Sequence, residues 1–122
     1  MENLVGVDIE ERDGGAVVVA RLTGELDMAV AQSVGSRIAE AVPSAARGVV
    51  VDMSGLDFMD SSGVSMLFAL ARRVGRRRQA LHLVAPEGRA VARVLEIVEF
   101  DRAAPVHRDV DAAVSAIVTP RE

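Results

Sequence analysis

Cysteine is absent from the 122-residue chain, and so are lysine, tryptophan and tyrosine. Without thiols there is no disulfide, iron–sulfur cluster, thiolate zinc site or cysteine nucleophile. All 14 basic residues are arginine, which excludes Schiff-base chemistry, a phosphate-loop lysine and a catalytic ammonium. Three phenylalanines are the whole aromatic complement, too few for the stacking platforms that hold single-stranded nucleic acid. Two histidines leave little material for a metal site or a triad, and neither a metal nor another cofactor is expected. No window approaches the roughly 20 apolar residues of a membrane span. The opening Met1-Glu2-Asn3-Leu4-Val5-Gly6 lacks the positive region and apolar run of a signal peptide. A cytoplasmic protein with no membrane partner is the expectation. The formal net charge of −4 also argues against direct nucleic-acid binding.

Half of the residues are hydrophobic, so the core must be built from Val, Ala, Leu and Ile. The length suits one domain that buries roughly two-thirds of its unfolded surface. Leu4 to Glu11 alternates apolar and polar residues and reaches Asp13-Gly14-Gly15, a turn signal that opens a hairpin. Ala16 to Leu22 reads as a second strand, broken by Thr23-Gly24-Glu25-Leu26-Asp27. Val30, Val34 and Ile38 then recur at helical spacing before Pro43, with Asp27 as the expected helix cap. Val49-Val50-Val51 has the continuous apolar character of a central parallel strand. A loop from Leu56 to Asp60 leads into a second helix marked by Val64, Leu67, Phe68, Ala71 and Val74. Ala80 to Val84 is the next strand, and Val91, Val94, Leu95 and Val98 make a third helix. A short strand at Pro105-Val106-His107 and a helix over Val110, Val114, Ile117 and Val118 complete the order. The expected fold is α/β with order ββαβαβαβα, a mainly parallel sheet and an antiparallel first strand. One domain is expected over residues 4–118, with 119–122 as a flexible tail.

The chemistry concentrates in Asp60-Ser61-Ser62-Gly63. Following a buried strand and opening a helix, this run places two hydroxyls and a carboxylate where unpaired N–H groups and the helix dipole favour negative charge. Asp and Ser are also the preferred N-caps, so the same residues can start a helix and do nothing more. The functional alternative is a phosphoryl acceptor, because a helix start tolerates phosphate. Helical spacing stacks Met66, Ala69 and Arg73 with Ser62, and this row is expected to face solvent as a docking surface.

The run from Val49 through Asp52-Met53-Ser54-Gly55-Leu56-Asp57-Phe58-Met59 to Asp60-Ser61-Ser62-Gly63 resembles the signature of the STAS family, in particular the bacterial anti-sigma-factor antagonists. The upstream Gly24-Glu25-Leu26-Asp27 resembles that family's other recurrent motif, and the element order agrees over nearly the whole chain. The resemblance implies a STAS-like domain and a non-enzymatic switch. An anti-sigma factor with kinase activity would phosphorylate the second motif serine, Ser62. The unphosphorylated antagonist would bind that anti-sigma factor and free the sigma factor, and a serine phosphatase would reset the system. By the same correspondence Asp27, Asp60 and Ser61 fall in the partner-binding region, with Ser61 the unmodified serine; Gly63 of the same motif and Met66, stacked on Ser62 by helical spacing, are expected there with them. One departure is Glu99, which stands where many relatives have glycine after the third helix; a non-glycine residue is disfavoured in a left-handed cap. A STAS module of a transporter or stress-signalling assembly, and a small-ligand binding domain, are the alternatives, both leaving the serine unused.

Other candidates carry less. Arg72, Arg73, Arg76, Arg77 and Arg78 read as a solvated helix end that complements the dipole. His82 and His107 have no ligand pattern around them and read as structural. Ser62 lacks the preceding glycine of a nucleophile elbow. Asp52 at a strand end is placed like a receiver-domain phospho-acceptor, but the lysine that such a site requires is missing.

Overall fold

The computed structural model describes residues 5–119. The expected start at Leu4, and all of the expected tail except Thr119, lie outside these residues. Five strands form one sheet in the order β1-β2-β3-β4-β5: β1 (Val5–Arg12), β2 (Val17–Leu26), β3 (Gly48–Met59), β4 (Ala80–Val84) and β5 (Val106–His107). Strand β1 is antiparallel to β2, and every later neighbour is parallel. Between them run α1 (Ala31–Ala41), α2 (Ser61–Arg76), α3 (Ala90–Ile97) and α4 (Val110–Val118). The α/β order ββαβαβαβα is therefore the observed one.

The apolar residues divide into two cores, one on each face of the sheet. Helices α1, α2 and α3 cover the larger, where Ile38, Leu67 and Leu95 meet Val18, Val49, Val51 and Leu83. Helix α4 covers the smaller with Ala113, Val114 and Ile117 against Val17, Val19 and Val50. Alternation along each strand assigns the side: Val49 and Val51 belong to one core and Val50 to the other. This is why the three-valine run of β3 is buried on both faces.

Two strands are longer than the sequence pattern suggests. The segment Thr23–Leu26 continues β2 instead of ending it, and β3 runs to Met59 instead of stopping near Ser54. The glycines that look like breakers are accommodated inside the pairing. Gly24 has φ 88°, and the register slips on either side of it, as in a bulge. Gly55 sits so close to Thr23 that a Cβ there would lie 2.9 Å from the threonine methyl. The extended strands carry Leu26 and Met59 side by side to one end of the sheet.

The departure at Glu99 is resolved by context. Glu99 keeps the left-handed conformation (φ 55°, ψ 46°) without glycine. Such a backbone costs on the order of 1 kcal/mol and persists where its surroundings enforce it. Here the next residue, Phe100, is fully buried against Phe68 with ring centroids 4.5 Å apart, and the Glu99 carboxylate accepts Arg102 Nε at 3.0 Å.

The two histidines meet at the far edge of the sheet. His82 Nδ1 and His107 Nε2 are 2.8 Å apart, with ring planes inclined by 11°. A centroid separation of 5.0 Å at that N–N distance means that the rings are joined edge to edge by an N–H···N bond. Burial, and then the adjacent His107, hold the His82 imidazole below its ordinary value. The unfolded chain takes up this proton near pH 6.5, the folded chain only at lower pH. The contribution of His82 to folding stability is therefore complete above about pH 6.5 and declines as the pH falls below it. Thermal unfolding at pH 7.5, 6.5 and 5.5 should show this decline, and His82→Gln should flatten it. A wild-type slope retained in the variant would assign the effect elsewhere.

Candidate functional site

Parallel strands deliver their carboxyl ends together, and loops leaving those ends are where open α/β sheets place their sites. Asp27 follows Leu26 at the end of β2, and Asp60 follows Met59 at the end of β3. The Asp60 N–H donates to Leu26 O at 3.2 Å and ties the two exits together. Asp60 has extended backbone and is the N-cap of α2: its Oδ1 accepts Ser62 N at 2.8 Å and Gly63 N at 3.4 Å. The cap orients the first turn and leaves Ser61 exposed and Ser62 partly exposed. Asp60→Ala should cost about 1 kcal/mol of stability, while Asp60→Asn, an equally good cap, should cost far less. Chemical denaturation of both variants checks this, and equal losses would deny the capping role.

Asp27 is placed differently from expectation. The cap of α1 is Val30, and Asp27 lies outside the helix. Its Oδ1 accepts Ala29 N at 3.0 Å, and its carbonyl accepts Val30 N and Ala31 N. The aspartate thus forms an Asx turn that leads into the helix, which displaces the helix start by about one turn from the sequence reading. An asparagine can make the same turn, so Asp27 needs its charge for nothing in the local fold.

One more expectation, that of the solvent-facing row, is corrected by packing. Met66 is 7% exposed and does not stand in a solvent-facing row. It packs under Gly35 of α1, where a Cβ would come within 2.6 Å of Met66 Cγ. Gly63 is buried, and a Cβ there would lie 2.5 Å from Met59 Cγ and 3.1 Å from Leu26 Cδ2. Its absent side chain lets the helix start approach the strand ends.

The close approach of α1 to α2 at Gly35 leaves a groove of about 460 Å³ above the contact. Ser61 and Ser62 open it, Met66 forms part of its floor, Ala31 and Ala69 line its walls, and Arg73 stands at its far end. Met28, 80% exposed, flanks the mouth and is the most exposed of the large apolar side chains among the described residues. The groove therefore sets the Ser61 and Ser62 hydroxyls beside an apolar lip, with the Asp60 carboxylate capping the helix start next to them. Among the described residues no group of three or more His, Asp and Glu side chains is placed to hold a metal ion, and no helix is long and apolar enough to cross a membrane. Asp52 is occupied: its Oδ1 accepts Ser54 N at 3.0 Å and its Oδ2 faces Arg21 Nε at 3.5 Å.

The STAS-domain sequence profile matches residues 7–113. The chain belongs to the STAS-domain family. It is 32% identical over 118 residues to the anti-sigma-F factor antagonist RsfA of Mycobacterium tuberculosis, covering 95% of this chain and 90% of that one. Among solved structures, an anti-sigma factor antagonist from Mycobacterium paratuberculosis superposes with a TM-score of 0.82 at 24% identity, covering 94% of this chain and 95% of that one. The antagonist SpoIIAA in its unphosphorylated form gives 0.70 at 23%, over 94% and 100% of the two chains. SpoIIAA from Bacillus in the phosphorylated form gives 0.65 at 23%, over 88% and 96%. At these identities the superpositions speak for the STAS fold.

Sequence reasoning about this STAS domain missed the α1 side of the groove. Gln32, Gly35 and Ser36 line it, yet as a row of small and polar residues they carry no chemical signature. Only the pairing of two helices across the sheet gives them a common surface. Met28 was legible as a lone apolar residue beside Asp27, but single exposed apolar residues are ordinary.

Proposed function

We propose that this STAS domain is an anti-sigma-factor antagonist switched by phosphorylation of Ser62. In this reading the unphosphorylated domain binds an anti-sigma factor with kinase activity through the mouth of the α1–α2 groove, and the sigma factor is released. Phosphate on Ser62 abolishes the contact, and a serine phosphatase restores it. The relative RsfA, similar over nearly the full length of both chains, is named for antagonism of an anti-sigma factor. The observation that carries the reading is the position of Ser62: partly exposed, on the first turn of a capped helix, at the open end of a groove with an apolar lip. A kinase can reach such a hydroxyl, and a docked partner would cover it.

Ser61 and Met66 line the same groove, Asp60 caps the helix that carries Ser62, Gly63 packs that helix start against the strand ends, and Asp27 precedes the lip residue Met28; in this reading all five belong to the partner-binding region. Because Asp27 keeps its turn as asparagine, Asp27→Asn isolates any contribution of its charge to binding. The test is incubation of wild type and Ser62→Ala with ATP and each purified kinase-type anti-sigma factor encoded in the same genome. One phosphate per wild-type chain and none on the variant is the expected result. Full incorporation into Ser62→Ala would move the acceptor elsewhere. No incorporation with any of the kinases would favour a transporter or scaffold module, or a small-ligand domain, in which the serine is idle.

A further inference from the structure

We infer that the partner segment lying in the α1–α2 groove carries a carboxylate that pairs with Arg73, so that Arg73 anchors the end of the interface remote from Ser62. This inference rests on the antagonist reading above and extends it along the groove. The two ends of the groove differ in charge. Asp27 and Asp60 stand at the Ser62 end, and Arg73 lines the other. The ion pairs among the described residues engage Arg12, Arg21, Arg102 and Arg108, and none of them includes Arg73. Its neighbours Arg72, Arg76 and Arg78 are likewise outside those pairs, and Arg77 donates to Val42 O at 3.0 Å instead. One or two cations in a last turn satisfy a helix dipole. Five arginines within Arg72–Arg78, in a chain of net charge −4, exceed that need.

Between the two ends the groove is bordered by small side chains over a floor that includes Met66. Gly35, Ser65 and Ala69 line the groove, so a helix can lie close against α2 and present side chains to both ends at once. Ser62 and Arg73 are eleven residues apart, which at a rise of about 1.5 Å per residue is roughly 16 Å, or three helical turns. The partner helix accordingly holds its carboxylate about three turns from the residue that covers Ser62. Opposite charges at the two ends also fix its direction, because the reversed helix would set its acid against Asp27 and Asp60.

The test compares wild type, Arg73→Glu, Arg73→Gln and the control Arg93→Glu by calorimetric titration with the anti-sigma factor that binds the wild type. Arg93 belongs to α3 and lies outside the groove. Arg73→Glu should weaken binding about tenfold, and Arg73→Gln by less. Arg93→Glu should match the wild type, although its net charge changes equally. The melting temperature of Arg73→Gln should be close to that of the wild type and that of Arg73→Glu lower by only a few degrees, and raising the salt should cost the wild type more affinity than it costs Arg73→Glu. Wild-type affinity in Arg73→Glu would overturn the inference and leave the antagonist reading standing. No anti-sigma factor binding the wild type would defeat both. Tight binding of a 20-base-pair DNA duplex by the wild type, lost in Arg73→Glu, would assign the arginines to nucleic acid and also overturn it.

Discussion

Phosphorylated on Ser62, the domain should bind its anti-sigma factor about a thousandfold more weakly, a change of roughly 4 kcal/mol, without refolding. The N-terminus of α2 tolerates the added charge, since its dipole favours an anion by on the order of 0.3–1 kcal/mol. Yet Asp60 Oδ1 already accepts the N–H groups of Ser62 and Gly63, so the phosphate finds those donors taken and a carboxylate close by. Among the described residues the one arginine lining the groove is Arg73, roughly 16 Å away by helical rise. A doubly charged group with no cation beside it keeps its water, and stripping that water under a partner costs several kcal/mol. The domain itself has no reason to rearrange. Backbone amide spectra with and without phosphate should differ around residues 57–70 and agree over β4, β5 and α4. Shifts reaching those elements would indicate a conformational mechanism instead.

Gly63→Val should be the most damaging single change at the site. A Cβ at this position would already lie 2.5 Å from Met59 Cγ, 3.0 Å from its sulfur and 3.1 Å from Leu26 Cδ2, and valine adds two methyl groups beyond that. Overpacking of this kind costs about 1–3 kcal/mol. In a domain of this size that is a fall in melting temperature of about 5–15 °C. The obstructed atoms are the ends of β2 and β3, so relief comes by lifting the first turn of α2, and Ser62 moves with it. Phosphorylation and partner binding should both decline in Gly63→Val at temperatures where it remains folded. Unchanged melting with unchanged binding would show that the helix start has more room than its packing implies.

The elements that the sequence announces most clearly are those whose pattern is local. Ala80 to Val84 is bracketed by polar residues and Pro86, and β4 has those bounds. The Asp60 cap is equally local, because the carboxylate and the N–H groups that it accepts lie within three residues. The misread stretches depend on distant partners. Gly24 and Gly55 look like the ends of strands until β2 and β3 lie side by side, when Gly55 leaves room for the Thr23 side chain and Gly24 takes up the register slip opposite Leu56. Met66 falls on the same helical row as Ser62, yet α1 covers it, and nothing in α2 alone announces that α1 carries a glycine at that crossing. The groove follows the same rule. Its α2 wall was readable from the spacing of Ser62, Ala69 and Arg73, whereas its α1 wall exists only through tertiary packing. The His82–His107 bond, between strands 25 residues apart, had no sequence signal beyond the presence of two histidines.

The central claim is that Ser62 without phosphate displaces a sigma factor and Ser62 with phosphate does not. The direct measurement starts from a purified complex of sigma factor and kinase-type anti-sigma factor, loaded with a non-hydrolysable ATP analogue so that no phosphate moves during the assay. Unphosphorylated domain, phosphorylated domain and Ser62→Ala are added separately, and free sigma factor is quantified by size-exclusion chromatography. The unphosphorylated domain and Ser62→Ala should release sigma factor in proportion to the amount added, and the phosphorylated domain should release none at the same concentration. Equal release by the phosphorylated and unphosphorylated domains, or none by either, would contradict the switch.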